Sequence, residues 1–402
     1  MSEEIANLLE LVTAGEWGNN QGTPGGVDTG VIRSANFTKD HQFNAKEIVV
    51  RSIEERKRQK KMLKHGDILI EKSGGSPDQP VGRVLFYDLK GEHTCSNFIS
   101  ILRPSQQVDP KFLYYSLCNL YGRGVVKNYQ QQTTGIINLQ LGEYLRETIY
   151  HPPLPEQKKI AEILSGINLC ISSTKRKLAK REIMLQSIIG RLFMMPQALG
   201  DVTDGHENDT PSVRRVPLKE VCTVRQGLQI PISERSKTRG KGMLPYLTVS
   251  WINSNFSIEK AEYIDTPRSS VILEEGEFVV ARTGAVGRVF DGIRCVFHNN
   301  FFAVKCLPCI NSNYLKHYLK SDALQDEMLE RAGSTSIPDL NHGDFYSIEV
   351  PLHEPDNQKS IVAVIDSMES EICQIKKSID TLQNLLIGVS SDLLSGRKRV
   401  SI

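Results

Sequence analysis

The sequence predicts an α+β protein made of two similar mixed globules in tandem, each followed by one long helix, with the two helices pairing as a coiled coil. The first observation is a heptad seam. Between Gln157 and Phe193, positions 160, 164, 167, 171, 174, 178, 181, 185, 188 and 192 alternate in steps of four and three, and all but Thr174 and Arg181 are apolar. The second is its echo 201 residues later, Gln358 to Leu394, where all the matching positions are apolar. The third is that the segments preceding the two helices share a series of short motifs.

Residues 1–153 form the first globule. After Leu8 to Val12 comes a glycine-rich passage, Gly15 to Gly26, which reads as a loop. Strand-like pieces follow at Val31 to Ser34, Glu47 to Val50, Asp67 to Ile70, Val81 to Tyr87 and Phe98 to Leu102. A helix from Pro110 to about Leu120 carries Phe112, Leu113, Leu117 and Leu120 on one apolar face. Pro152, Pro153 and Pro155 punctuate the chain before the first long helix, where proline is tolerated.

That helix occupies 154–195. Its seam is Ile160, Leu164, Ile167, Ile171, Leu178, Leu185, Ile188 and Leu192. A run of about 37 residues would be roughly 55 Å long, too long to bury its stripe without a partner. Residues 196–215, polar and acidic, read as a mobile linker.

The second globule, 216–352, repeats the first in outline. Gly66-Asp67 is answered by Gly276-Glu277, and Val81-Gly-Arg-Val84 by Val286-Gly-Arg-Val289. Asn97-Phe98 is answered by Asn300-Phe301, Ile136 to Leu139 by Ile337 to Leu340, and Gly142-Glu-Tyr by Gly343-Asp-Phe. The offset drifts from 210 to 201, as short insertions in loops would produce. The second helix, 353–397, carries Ile361, Ile365, Met368, Ile372, Ile375, Ile379, Leu382, Leu386, Val389 and Leu393, and its natural partner is the first.

At 402 residues, with 39% hydrophobic and 24% charged residues, the chain is ordinary for a soluble globular protein of two or three domains. No long apolar run suggests a membrane span, and the acidic start, Met1-Ser-Glu-Glu-Ile-Ala, lacks the pattern of a secretory signal. These features point to the cytosol, where eight scattered cysteines would stay reduced. No phosphate loop, nucleophile elbow or His-Glu-x-x-His helix occurs. Cys306-Leu-Pro-Cys309 with Cys295 and His298 offers four zinc ligands, but its first-copy counterpart has no cysteine; a turn with buried thiols is the simpler reading.

A net charge of +2 leaves any attraction to nucleic acid to local patches. Two exist, at broadly matching places in the repeat. Arg51, Arg56, Lys57, Arg58, Lys60, Lys61 and Lys64 oppose only Glu54 and Glu55, and Arg235, Lys237, Arg239 and Lys241 have no acid among them. Clustered cations gain from counterion release on duplex DNA. Trp251 and Tyr246 could stack on bases, though a core position suits them better.

The run Leu154-Pro-Glu-Gln157-Lys-Lys-Ile160-Ala161, entering a long helix, resembles the signature of the specificity (S) subunit of type I restriction-modification systems. The doubled architecture, the Trp17-Gly18 and Arg33-x-x-Asn36-Phe37 passages and the paired glycine motifs share the resemblance. The second copy departs from it, with Leu352-His-Glu-Pro-Asp-Asn-Gln358 in place of the cleaner Leu-Pro-x-Gln.

The resemblance implies two target recognition domains in pseudo-symmetric tandem, each reading half of a bipartite, asymmetric DNA target, with the two long helices paired antiparallel as spacer. It further implies a non-catalytic role in DNA methylation and host defence. Two methyltransferase subunits using S-adenosylmethionine and motor-nuclease restriction subunits using ATP and Mg are the implied partners, with no cofactor in this chain. Candidate DNA contacts are Arg33, Arg56, Lys57, Arg58, Lys60, Lys61, Lys72 and Arg83 in the first half, and Arg235, Lys237, Arg239, Lys241, Arg282 and Arg288 in the second. A coiled-coil adaptor without DNA specificity, or a zinc-dependent nuclease built on the cysteine constellation, is the alternative.

Overall fold

A computed structural model describes residues 2–38, 43–44, 48–76, 79–133, 136–194, 213–254, 256–265, 269–333 and 338–401. Most of the expected linker, together with Glu47 of an expected strand, Met195 of the expected helix and Ile337 of an aligned motif, lies outside the described residues. The chain forms two compact units, 1–175 with 378–402, and 176–377. Each contains one globule and half of each long helix.

The first unit is built on a four-stranded antiparallel sheet ordered Leu9–Ala14, Ile99–Pro104, Ile68–Glu71, Val84–Phe86. Apolar side chains fill both faces of its middle strands, as a buried sheet requires. Ile68, Ile70 and Leu102 pack toward the helix Pro110–Gly122, and Leu69, Leu85 and Ile101 form a second cluster with Ile32 and Cys95. A second sheet pairs Gly26–Ile32 antiparallel with Val49–Glu54 and parallel with His93–Cys95.

The second unit repeats this order with Cys222–Gln226, Phe301–Cys306, Phe278–Ala281 and Val289–Phe290. Its second sheet again contains one parallel pair, Leu244–Leu247 with Val296–Phe297. In both units a short antiparallel clip leads into the long helix: Ser2–Glu4 with Thr148–Tyr150, and Arg215–Pro217 with Glu349–Pro351.

The aligned motifs occupy equivalent backbone positions except Asn97-Phe98, whose match slips by one: the Lys72 N–H donates to the Phe98 carbonyl and the Arg282 N–H to that of Asn300, so Phe301 stands at the position of Ile99. The Glu71 N–H donates to the Arg83 carbonyl and the Gly82 N–H to the Glu71 carbonyl, both at 2.9 Å. Ala281, Arg288 and Gly287 repeat the arrangement at 2.8 and 2.9 Å. Gly82 and Gly287 are both at positive φ, 105° and 81°, which explains the glycine in each Val-Gly-Arg-Val. A further pair of glycines, outside these motifs, also matches between the units. An added Cβ on Gly15 would lie 2.1 Å from the Cys95 carbonyl oxygen, and one on Gly227 would lie 2.3 Å from that of Phe297, so only glycine permits these backbone approaches.

The Gly-Asp and Gly-Glu motifs serve the scaffold. Asp67 caps its turn by accepting the Lys64 N–H at 2.8 Å and takes two bonds from Arg103, each at 2.8 Å. Glu277 caps the Glu274 N–H at 3.0 Å and pairs with Arg225.

The long helices span Leu154–Met194 and Pro355–Leu394, with Pro355 in the first turn, where its missing N–H leaves no bond unmade. In the first unit Ile160 and Leu164 pack into one cluster with Leu386, Val389 and Leu393. In the second, Leu178 and Leu185 share a cluster with Ile361, Ile365, Met368 and Ile372. The start of one helix thus meets the end of the other in each unit, so they run antiparallel. Ile171, Ile375 and Ile379 are buried as the seam requires, whereas Ile167 and Leu382 are half-buried.

Near the end of the first helix the buried line moves by one residue, from the expected Ile188 and Leu192, both half-buried, to Ile189 and Phe193. A straight helix drifts against a strict seven-residue repeat. Phe193 is also drawn into the globule's core, edge-on to Tyr314 and Tyr318 with ring centroids 5.0 Å from each. At the polar seam position, Arg181 pairs with Glu371 at 3.1 Å.

Candidate nucleic-acid interface

The first basic cluster begins on a strand and continues as a short helix, Glu55–Lys61, with its acid, Glu55, in the first turn and Arg58, Lys60 and Lys61 in the last, as the helix dipole favours. Helical spacing then sorts the cations. Arg56, Lys57 and Lys60 face solvent, and so does Lys64 just beyond the helix. Arg58 and Lys61, three residues apart, face inward. The Arg58 side chain is only 12% exposed, bonded to Glu55, Glu92 and the Thr29 hydroxyl. Lys61 reaches Glu16 at 2.8 Å and the Gly15 carbonyl at 3.1 Å.

Arg83 is an interior residue, with its side chain 9% exposed. Its guanidinium makes two 3.0 Å bonds to Glu71, donates to the Phe37 carbonyl at 2.8 Å and lies over the Phe37 ring. Arg288 at the equivalent position is exposed. The difference has a plain cause: the second copy has Ala281 where the first has Glu71, so nothing holds the guanidinium inside.

Lys72 and Arg282 also correspond, since each carbonyl accepts from a matched leucine, Leu139 at 2.8 Å and Leu340 at 3.0 Å. Lys72 is half-buried, whereas Arg282 makes a two-pronged bond to Asp339 and lies over Phe302. Arg33 is half-buried beside the short turn Ser34–Asn36, its N–H donating to the Asn36 side chain at 2.8 Å.

In the second cluster Arg235 is an anchor. It bonds twice to the Ile230 carbonyl, pairs with Glu262 at 3.1 Å and covers the Tyr246 ring. Lys237, 69% exposed at its side chain, shares Glu262 at 2.8 Å, and Arg239 and Lys241 are exposed on the following turn. Burial alone would raise the Glu262 carboxyl, but the hydrogen bonds from Lys237 and Arg235 hold it below the usual carboxylate range. These residues border a cleft of about 380 Å³ with Lys260, Ser250, His298 and Asn300. Burial and the Arg235 charge lower the pKa of His298, favouring a neutral imidazole that accepts the Asn300 N–H through Nδ1.

The first unit has a larger cleft, about 750 Å³, lined by Ser34, Thr38, Asn44, Gln79, Phe98 and Ile136 among others. Phe98 remains 48% exposed there, and its backbone counterpart in the second unit is Asn300, which borders the smaller cleft.

Two positions were not among the candidates. Arg51 stacks on Trp17 at 4.7 Å and bonds Asn20 at 2.9 Å, and Lys260 borders the second cleft. The first had a signal, a cation at the edge of the basic run; the second, a lone lysine beside Glu259, had none. Tyr246 and Trp251 are buried, in line with a core role. No three of Cys295, His298, Cys306 and Cys309 gather at metal-binding distance. Cys295 lies in an apolar cluster with Leu247, Trp251 and Phe297, and burial pushes its thiol up to about 12. Among the described residues no helix is long and apolar enough to cross a membrane.

Comparison with known proteins agrees with this architecture. The type I restriction modification DNA specificity domain matches twice, at residues 19–182 and 213–384. The MjaVIII type I restriction enzyme specificity subunit of Methanocaldococcus jannaschii is 22% identical over 333 residues, 76% of this chain and 74% of that protein. A second protein of that organism, described as the MjaX specificity subunit, is 21% identical over 347 residues, 83% of this chain and 79% of its own length.

Two solved structures share the fold. A chain from a study of type I R-M complex assembly and conformational transition has a TM-score of 0.62 at 14% identity, covering 99% of this chain and 98% of that one. The S subunit from M. genitalium has a TM-score of 0.57 at 17% identity, covering 98% and 96%. With the domain matched twice over most of its length, the chain belongs to the type I restriction-modification DNA specificity family, as a recognition subunit rather than an enzyme.

Proposed function

We propose that each unit reads one part of a bipartite, asymmetric duplex target. Arg56, Lys57, Lys60 and Lys64 would contact phosphates in the first part, and Lys237, Arg239, Lys241 and Arg288 in the second. The observation that carries this reading is one scaffold presenting two different surfaces. Equivalent backbone positions hold a buried Arg83 and an exposed Arg288, an exposed Phe98 and a half-buried Asn300. Two readers of the same build but different lining suit two unlike half-sites, because phosphate contacts set register while groove contacts specify bases.

The two clefts are the surfaces for base readout. Hydroxyl and amide groups of Ser34, Thr38, Asn44 and Gln79 suit base edges, and Phe98 and Ile136 suit a thymine methyl. Arg58, Lys61, Arg83, Arg235 and Arg282 support these surfaces through their protein bonds. The working complex contains two methyltransferase subunits with S-adenosylmethionine, and restriction subunits with ATP and Mg, in the cytoplasm. This chain supplies positioning alone.

Base-modification sequencing of the host genome with this chain present and deleted tests the reading. The expected result is loss of N6-methyladenine from one split, asymmetric motif. Unchanged methylation, together with no duplex binding by the assembled methyltransferase, would overturn it.

A further inference from the structure

The Pro110–Gly122 and Ser312–Leu319 helices each pack against a long helix, and the side-chain contacts there can be compared position by position. Tyr115 lies six residues beyond the cap Asp109, and His317 six beyond the cap Asn311. In the first unit the Tyr115 hydroxyl bonds Ser165 at 3.2 Å and Asn168 at 3.3 Å. In the second unit His317 meets Asp366 and Glu369, which stand 201 residues after that serine and asparagine. Neutral groups therefore suffice to join these elements, and the fold itself does not call for an imidazole between two carboxylates.

His317 is 5% exposed. Its Nε2 lies 2.8 Å from Asp366 Oδ1, a hydrogen bond that places the ring proton on that nitrogen. Nδ1 is then a lone pair, buried and without a hydrogen-bond partner, aimed at Glu369 Oε1 3.7 Å away. A lone pair facing a carboxylate oxygen is repulsive unless positive charge lies between them. The separation is too long for a hydrogen bond. It fits two ligand atoms on one metal ion, about 3.4 Å for bonds near 2.05 Å at the tetrahedral angle and somewhat more at wider angles. A ligating histidine whose other ring N–H is held by a carboxylate is the usual second-sphere arrangement around such ions.

We propose that His317 Nδ1 and the Glu369 carboxylate bind a divalent transition-metal ion of the Zn2+ class, with Asp366 orienting the imidazole and water completing the coordination. The carboxylates of Asp366 and Glu369 are partly exposed, which gives the ion a path in from solvent. The ion would fasten the Ser312–Leu319 helix to the long helix, the task hydroxyl and amide groups perform in the first unit.

The test uses the purified full chain and Co2+ as a probe, since thiolate ligation gives strong near-ultraviolet charge-transfer bands and nitrogen and oxygen ligands do not. The proposal expects one equivalent of Co2+ bound without those bands, displaced by Zn2+, and a melting temperature raised by Zn2+. His317→Asn and Glu369→Gln should abolish the Zn2+ stabilisation, and Asp366→Asn should weaken binding by about 10- to 100-fold. Glu369→Gln changes a partly exposed side chain by one atom, so it separates ligand loss from misfolding, with circular dichroism as the check. No uptake, a thiolate spectrum, or equal affinity in Glu369→Gln and the parent would overturn the site. A simple imidazolium bridge between the carboxylates would appear as no uptake, with His317→Asn equally destabilised with and without Zn2+.

Discussion

Gln157 Oε1 accepts the backbone N–H of Asp109, the residue that caps the Pro110–Gly122 helix, at 2.9 Å. Gln358 repeats the relationship with Asn311, the cap of the Ser312–Leu319 helix, at 2.7 Å. Each amide also donates backward to the carbonyl five residues earlier, that of Pro152 at 2.8 Å or His353 at 2.7 Å. Both glutamines are buried. The glutamine of the helix-entry signature is therefore a clamp that fixes a long helix to its globule through backbone groups, which explains why it survives where the Leu-Pro before it does not.

Replacing either glutamine by alanine leaves a buried N–H and a carbonyl unpaired, each worth about 1–3 kcal/mol. We expect Gln157→Ala and Gln358→Ala each to lower stability by about 2 kcal/mol or more. The two tryptophans, Trp17 and Trp251, fall one in each unit, so urea denaturation followed by fluorescence of Trp17→Phe and Trp251→Phe backgrounds assigns the loss to its unit.

Arg83 and Arg288 share a motif and should behave oppositely. Arg83→Ala removes one partner of a buried pair, an effect of about 3–5 kcal/mol. Arg288→Ala should stay within about 0.5 kcal/mol in stability. Denaturation midpoints of the two variants check this, and equal losses would contradict the assignment.

The sorting of the first basic cluster predicts a split between affinity and stability. Replacing Arg56, Lys57 and Lys60 together by glutamine should reduce the slope of log affinity against log salt by about 2–3, since each phosphate contact contributes about 0.9. Arg58→Gln should change that slope little and lower the melting temperature instead. Binding of the assembled methyltransferase to its duplex across a salt series distinguishes them.

Glu156 is buried beneath Arg399, with two bonds at 2.8 and 2.7 Å. The Arg399 bonds hold its carboxyl below the ordinary value of 4.5 despite burial. Because the folded pKa is depressed, this contribution is fully present above that ordinary value and is lost as pH falls through the folded one. Melting temperature against pH should therefore drop below about pH 4.5 less steeply in Arg399→Gln than in the parent.

The sequence alone determined the repeat, the two long helices and the family, because these rest on local periodicity and on motifs whose backbone requirements are local: a seam every 3.5 residues, a glycine at positive φ, a glutamine after a proline-marked entry. It also located both basic clusters. Tertiary structure decided which cations face solvent. Arg58, Lys61 and Arg83 are held by Glu92, Glu16 and Glu71, and Arg288 is released because the residue facing it is Ala281. Those partners arrive from other strands and loops, so burial and charge pairing are settled across distances that neither composition nor spacing records. The same holds for His317, whose carboxylates come from a helix some fifty residues away in the chain.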